Sequence, residues 1–589
     1  MSVRRRQGVA LAVYLAALVL TYPGVVLHPG SHIPAGFNDA TGALRSVWAD
    51  RTQHTNPFTV RHDAYDGAPE GRAVAPAVSI ANAPLQAAAV WWLSGPLGDI
   101  GAWNAFLLSG VLATALAMFA LLERLGCRLE ASLFGGYALA FNPYTVAHAR
   151  AGHSALLHSW TLVLVVAALL RLRSRRGVRD AVLVGLAAAL AYYMTAYSGL
   201  FAAVLVGVFL LVERKRLPEK ADRRRTLGLG AVAAGVGAAL LAPVAVLFVR
   251  ERSTVDLSVA RAGHDFYTFS ATLPAYFLPS PRNPLFHWLS GVHPSDVDER
   301  TLYLGLTVLV FALVAVVRLR RRDPWLAPGS DRRWTAVYLA AVAVVAFLLS
   351  LPPSYAIGKT AIPMPSLVLA LATTFWRVYA RFGILVELAL AGLAALGLTM
   401  VAARGGRWSR IPPAALVVLA LVEFLPGGGS FDASARPAWT SWLAKQPAGI
   451  VATYPMPFHK QPALDLNLQD YWYQRFDGHP RFEWQNPNLL EARTRTWAIR
   501  VVARDLAAPK TAGILASEQV RYAVVHDDVY RAEGLKPPVA GPGFRLVGTF
   551  GPVRVFTVSA APVDVGPILQ ANRAEIARLV RTVPSKLLW

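Results

Sequence analysis

Residues 1–27 read MSVRRRQGVALAVYLAALVLTYPGVVL, and this opening decides the class of fold. Arg4, Arg5 and Arg6 precede an apolar run longer than the core of a secretory leader, and no clean small-residue cleavage site follows it. The stretch is expected to remain as an uncleaved first membrane helix with its arginine end in the cytoplasm.

Outward from there the pattern repeats. The 589 residues are 55% hydrophobic and only 16% charged, with a mean hydropathy of +0.41. Apolar runs near 20 residues in such a chain predict a polytopic α-helical membrane protein. The expected spans are 8–27, 102–122, 131–147, 155–171, 178–195, 198–213, 227–249, 302–318, 334–351, 382–403 and 411–425, about eleven helices. With the N-terminus inside, the cytoplasmic connections read ERLGCRLE (123–130), RLRSRRGVRD (171–180), ERKRLPEKADRRR (213–225), RLRRRDPWLAPGSDRR (318–333) and ARGGRWSR (403–410). All are short and basic, as the positive-inside rule requires. The net charge of +23 is thus a topology signal, and nucleic acid is not an expected partner. Arginine far outnumbers lysine and alanine is abundant, which suits a GC-rich bacterial genome and a bacterial plasma membrane. The single cysteine, Cys127, excludes an intramolecular disulfide and any multi-cysteine metal site.

The expected division is a membrane domain over 1–425, with outer loops 28–101, 250–301 and 352–381, and a non-cytoplasmic domain over 426–589. LPGGGSFDASARP (425–437) marks the boundary. Beyond it GIVATYP, VRYAVVH and RVFTVS are β-branched, strand-length runs, and NLLEARTRTWAIRVVARDL and QANRAEIARLVRTV are helical patterns, so a small α/β domain is expected.

Candidate chemistry lies in the outer loops. The first, HPGSHIPAGFNDATGALRSVWADRTQHTNPFTVRHDAYDGAPEGRAVAP (28–76), carries Asp39, Asp50, Asp63, Asp66 and Glu70. A long polar loop after a first membrane helix lets an enzyme place carboxylates against a lipid-tethered substrate, and Asp39 is the expected catalytic carboxylate. The turn FNPYTVAHARAGHSALLHSW (141–160) holds His148 and His153. Their spacing of five across a glycine is too irregular for a helical zinc pair, leaving hydrogen bonding to a phosphate or sugar, or interfacial anchoring. His158 beside Trp160 is expected to pack. LPSPRNPLF (278–286) cannot be regular helix, because its prolines lack donors. With His264, Asp265, Arg282, Glu299 and Arg300 it offers polar contacts for a groove wall; His264 and Arg282 are the substrate-binding candidates. In FWRVYARF (375–382), Arg377 and Arg381 are four apart, and on a helix would share one phosphate-binding face. No Walker A, GxGxxG, HExxH or GxSxG pattern occurs. Glu387 and Glu423 fall inside predicted spans, where a carboxylate is expected to bond a neighbouring helix or face a polar path.

The order of parts resembles the C-type (GT-C) membrane glycosyltransferases, and within them bacterial members with a first-loop Asp, an NPY…H…GH…W turn, LPSP.NPLF, YLGL and RVYARFG. The matching residues are Asp39, Asn142 to Tyr144, His148, His153, Trp160, Leu278 to Phe286, Tyr303 to Leu306, and Arg377 to Phe382. The resemblance implies a polyprenyl-phosphate sugar donor and an envelope glycan, lipid or protein acceptor at the outer face. It implies displacement with inversion, Asp39 acting as general base and arginine and histidine stabilising the phosphate. The first loop has Asn-Asp where several members have two acids, so the need for a divalent metal such as Mg or Mn stays open. The rival expectation is a transporter or scaffold for envelope polysaccharide assembly without turnover. Charges gather outside rather than through the helices, which favours the enzyme.

Overall fold

The computed structural model describes residues 2–74, 82–214, 220–251, 263–280, 282–286, 288, 298–357, 360–373, 375–403, 413–425, 429–456, 461–482 and 495–582. The chain forms two compact units. Met1–Gly36, Ser79–Phe248 and Ala260–Phe431 make the first; Phe37–Val78, Val249–Val259 and Asp432–Trp589 make the second.

The first unit is a helical bundle. Among the described residues, six of its helices are long and apolar enough to cross a membrane: Pro84–Arg124, Ser154–Arg175, Ala196–Arg214, Arg224–Arg250, Asp331–Ser350 and Tyr379–Ala402. The chain is therefore an integral membrane protein of several spans. The other predicted spans are helical too. Val178–Met194, Leu306–Arg320 and Pro413–Glu423 are shorter, and Val3–Thr21 carries the arginine run.

The span expected over 131–147 is broken. Leu129–Ala140 ends at Phe141, and Pro143–Arg150 starts anew. Asn142 causes the break, because its side chain accepts the Thr145 N–H at 2.8 Å as an N-cap while Pro143 takes the first helical position. Within the stretch 28–101 expected as the first outer loop, a helix starts at Pro84 and bends at Gly98 before running to Arg124.

Gly383–Ala402 is the buried axis, packed against Leu306–Arg320, Asp331–Ser350 and Leu129–Ala140. Lipid removes much of the hydrophobic drive between helices, so close backbone approach must hold such a bundle. Gly397 supplies it, since a Cβ there would stand 2.0 Å from the Phe311 carbonyl oxygen. Polar contacts gather the predicted cytoplasmic connections at one end. Arg6 pairs with Glu123 at 2.7 Å, Arg173 with Asp331, and the Arg332 Nε–H donates to the Leu125 carbonyl at 2.8 Å. The Arg128 N–H reaches Thr399 Oγ1 at 3.3 Å, which puts the last turn of the axial helix at that same end. Arg381, just before its first turn, is therefore at the other, roughly 30 Å away for 20 residues.

The second unit holds a four-stranded sheet ordered Ile450–Tyr454, Val520–His526, Val553–Val558, Phe544–Phe550. The first two strands are parallel and the rest antiparallel. Three strands coincide with the predicted runs; Phe544–Phe550 completes a hairpin that the sequence reading did not single out. Helix Asp39–Thr52 packs on Gln461–Asp477 within this unit. The residues of 37–78 thus belong with the tail, not with the membrane bundle as their place in the sequence suggested. Their bond is polar. Fully buried Arg45 pairs with Asp63, donates to Gln474 Oε1 at 2.8 Å and to the Tyr471 hydroxyl at 3.0 Å. The Ala68 N–H donates to the Arg481 carbonyl at 2.8 Å and the Arg481 N–H to the Tyr65 carbonyl at 2.9 Å, while inside each segment Arg72 meets Asp66, and buried Arg481 meets Asp470 and Asp477, at 2.7 Å each. Buried charges persist only when paired in this way.

Candidate functional site

The end of the bundle around Arg381 gathers four of the polar residues that the sequence singled out, His148, His153, Glu299 and Arg381 itself, and the short helix Pro143–Arg150 places the first of them. His148 lies in its last turn and is fully buried. Gly152 then takes a left-handed φ of +82°, and the chain folds back so that the His153 N–H donates to the His148 carbonyl at 2.9 Å. The two imidazoles meet, Nδ1 to Nδ1, at 2.9 Å. The spacing of five that looked irregular for a helix works because the second histidine follows a turn.

Both rings face Glu299, in the single turn Asp298–Arg300. His148 Nε2 is 3.6 Å from Oε2, and His153 Nδ1 is 3.6 Å from Oε1. Arg381 closes the group from the turn Tyr379–Phe382, its Nε 3.2 and 3.1 Å from the two Glu299 oxygens and its Nη2 also bonded to Oε1. The guanidinium also lies 4.6 Å from the Tyr197 ring centroid, a cation–π contact. Burial alone would raise the Glu299 carboxyl; Arg381 first, then the histidines, outweigh it and hold the group below the usual carboxylate range. Burial pushes His148 down to about 3 against the pull of Glu299, so at neutral pH that ring is an uncharged donor and acceptor.

The arrangement offers three metal-ligating side chains, His148, His153 and Glu299, with one ligand atom from each lying within 4.8 Å of the others. Two imidazoles and one carboxylate suit zinc-like ions better than magnesium, which prefers oxygen. The residues fit a metal, though not of the Mg type left open by the sequence.

The remaining candidates fall elsewhere or behave differently. Arg377 and Arg381 do not share a helical face. The helix Ser366–Ala372 stops at extended Thr373, and the Val378 and Ala380 N–H groups donate to the Tyr197 hydroxyl (3.2 Å) and the Phe269 carbonyl (3.0 Å) rather than to their own chain four residues back. Arg282 pairs with Asp298, next to Glu299 in sequence, and lines a pocket with Arg150, Ser280, Asn283, Thr301 and Glu423. His264 is in the short helix Gly263–Thr268, and its side chain lies outside the described ones, as does that of Asp265. Asp39 is exposed at the first position of Asp39–Thr52, where Asn38 caps the helix through the Ala40 N–H at 2.8 Å. It belongs to the second unit.

His158 is a packing residue. It accepts the Trp160 indole N–H at 2.9 Å through Nδ1, and its Nε2 lies 3.1 Å from the Phe106 carbonyl. Glu423 caps a neighbouring helix, accepting the Leu306 and Thr307 N–H groups at 3.0 and 3.1 Å. Glu387 is buried on the axial helix, and its Oε1 has no hydrogen-bond partner among the described residues. Glu299 stood among the polar residues of its loop in the sequence without distinction. The signal available was a carboxylate beside the YLGL motif, in a segment too rich in proline and aromatics to be a plain connector.

The fold is that of a helical polytopic membrane protein, GT-C-like, with a mixed α/β region at its C-terminal end. Residues 68–425 match the family described as "Domain of unknown function (DUF6311)", and the chain belongs to that family. Among solved structures, it is similar to the arabinofuranosyltransferase AftD from Mycobacteria, with a TM-score of 0.53 at 16% identity over 96% of this chain. That match spans 40% of the AftD chain, so the likeness is one of fold over part of a longer protein. Weaker matches are the archaeal oligosaccharyltransferase AglB from Archaeoglobus fulgidus and ArnT from Cupriavidus metallidurans. AglB gives a TM-score of 0.46 at 13% identity over 89% of this chain and 69% of its own. ArnT gives 0.42 at 15%, over 95% and 99%. No curated protein matches the chain.

Proposed function

We propose that the chain is a membrane glycosyltransferase that moves a sugar from a polyprenyl-phosphate donor to an envelope glycan, lipid or protein acceptor on the outer face of a bacterial plasma membrane. The observation that carries this reading is the convergence of Arg381, His148 and His153 on Glu299, at the end of the bundle remote from the basic connections. A cation and two imidazoles at a helix-bundle mouth suit the phosphate of a lipid-linked donor, whose prenyl chain remains among the helices.

In this reading the acceptor hydroxyl oxygen attacks the anomeric carbon as the bond from that carbon to the phosphate oxygen breaks. The polyprenyl phosphate leaves with the electron pair, and inversion follows from the single displacement. Asp39 takes the hydroxyl proton. Arg381, with Arg377, neutralises charge growing on the phosphate, while Glu299 holds the guanidinium in its plane. His264 and Arg282 contact the sugar. A bound divalent ion would supply further charge neutralisation at the phosphate.

Purified protein incubated with a panel of radiolabelled polyprenyl-phosphate sugars tests the proposal. Transfer of label to an envelope acceptor fraction is the expected result. Tight donor binding without turnover across the panel and all acceptor fractions would leave a lipid-glycan carrier or scaffold instead.

A further inference from the structure

His148 and His153 both approach Glu299 at more than hydrogen-bond distance. The His148 Nε2 is buried and, among the described residues, has no hydrogen-bond partner. Glu299 Oε2 is 3.6 Å from it, and His153 Nδ1 is the same distance from Oε1. Both separations exceed a hydrogen bond. They lie close to the roughly 3.3 Å edge of a tetrahedron of ligands set by metal bonds of about 2.0–2.1 Å.

We propose that His148, His153 and Glu299 form a site for one divalent ion of the zinc or cobalt class. His148 ligates through Nε2 and Glu299 through a carboxylate oxygen. His153 gives up its hydrogen bond to His148 and contributes its Nδ1. Each imidazole would ligate through a nitrogen that carries no proton. The fourth position stays open to water or to an anionic oxygen. Two nitrogens in three ligands disfavour magnesium and calcium, which take oxygen. Arg381 shares the same carboxylate, so ion and guanidinium compete for it. Neutralising Arg381 therefore tightens the site, which is the opposite of what a merely structural ion pair would do.

The test needs no donor lipid and is independent of the transfer reaction. Full-length protein, purified in detergent without a histidine tag and stripped by chelator, is dialysed against zinc, cobalt or magnesium and assayed for metal by mass spectrometry. One zinc or cobalt per chain is expected, with the strong visible absorption of four-coordinate cobalt and no retention of magnesium. His148→Gln and His153→Gln should each weaken binding at least about tenfold, while Arg381→Gln strengthens it. Melting curves identify any variant that fails to fold, and the partly exposed His153 keeps the test alive if His148→Gln is one. A chain that retains no ion overturns the site, and so does zinc bound undiminished when both histidines are replaced. Failure here with donor binding intact removes the ion and leaves the proposed transfer standing; the reverse removes only the transfer.

Discussion

Arg381 lies edge-on to Glu299, its Nε within 3.2 Å of both carboxylate oxygens, although 82 residues separate the two in sequence. The pair is nearly closed to solvent, with side-chain exposures of 12% and 9%. Removing one partner of such a pair strands the other's charge, a loss of about 3–5 kcal/mol.

Arg381→Ala should therefore lower both stability and donor binding. Adding Glu299→Gln to it should restore much of the melting temperature, because no buried charge is left unmatched. Donor binding should stay lost in the double variant. Recovery of donor affinity along with stability would make the arginine a structural residue only.

Asp39→Asn keeps the shape of the side chain and removes a proton acceptor. Transfer should slow by roughly two to four powers of ten with donor affinity intact. Asp63→Asn should fail differently, by unpairing buried Arg45 and destabilising the second unit. Kinetics beside melting curves separate the two; an Asp39→Asn variant with parental turnover would move the base elsewhere.

Asp50 gives the second unit a pH dependence. Burial, then Asp63, pushes its carboxyl up to about 7, with Arg45 and Arg72 pulling the other way. The folded chain holds this proton more tightly than the unfolded chain, whose aspartate titrates near 3.9. The contribution to stability is thus full below that value and falls as the pH rises towards 7. Asp50→Asn cannot ionise, so its gain over the parent should be greater at pH 8 than at pH 5, by on the order of 2 kcal/mol. Paired melts at the two pH values measure this, and equal gains would mean that the carboxyl is not protonated in the fold.

Glu423→Ala should remove the acceptor for two N–H groups at the start of Leu306–Arg320. A loss of about 1–3 kcal/mol is expected, with Glu423→Gln much milder because an oxygen remains. Hydrogen exchange at Leu306 and Thr307 reads the effect directly; unchanged protection in the alanine variant would refute the cap.

The charge pattern of the connections predicts a cytoplasmic N-terminus and a non-cytoplasmic tail. A phosphatase fused after Trp589 should be active in intact cells, and a fluorescent protein that matures only in the cytoplasm should stay dark there. The converse pair of signals would invert the topology and put the Arg381 end on the wrong face for a lipid-linked donor.

Much of the fold was legible because apolar runs and β-branched runs report local structure. A helix falls in each predicted span, and the strands at 450–454, 520–526 and 553–558 fall on the predicted runs GIVATYP, VRYAVVH and RVFTVS. Asn142-Pro143 was a readable stop signal hidden inside an apolar stretch. The site was less legible, because its members are joined by turns rather than by a period. Gly152 converts a spacing of five into a contact, and the spacing of four at Arg377 and Arg381 misleads because backbone donors there go to Phe269 and Tyr197. Nothing local to Glu299 announces a partner 82 residues on. For the same reason 37–78 read as a loop, since the groups that bury Arg45 lie near the other end of the chain.

That last separation has a consequence for the order of events in the cell. Arg45 meets Gln474 across 429 positions, so at about 5–20 residues per second of synthesis the early segment waits roughly 20–90 s for its counterpart. During that interval Arg45 has Asp63 but neither Gln474 nor Tyr471 to pair with. A nascent chain released before the tail is complete would present an unclosed half of a folding unit to quality-control proteases. Truncation, more than point substitution, is the damage this architecture tolerates least.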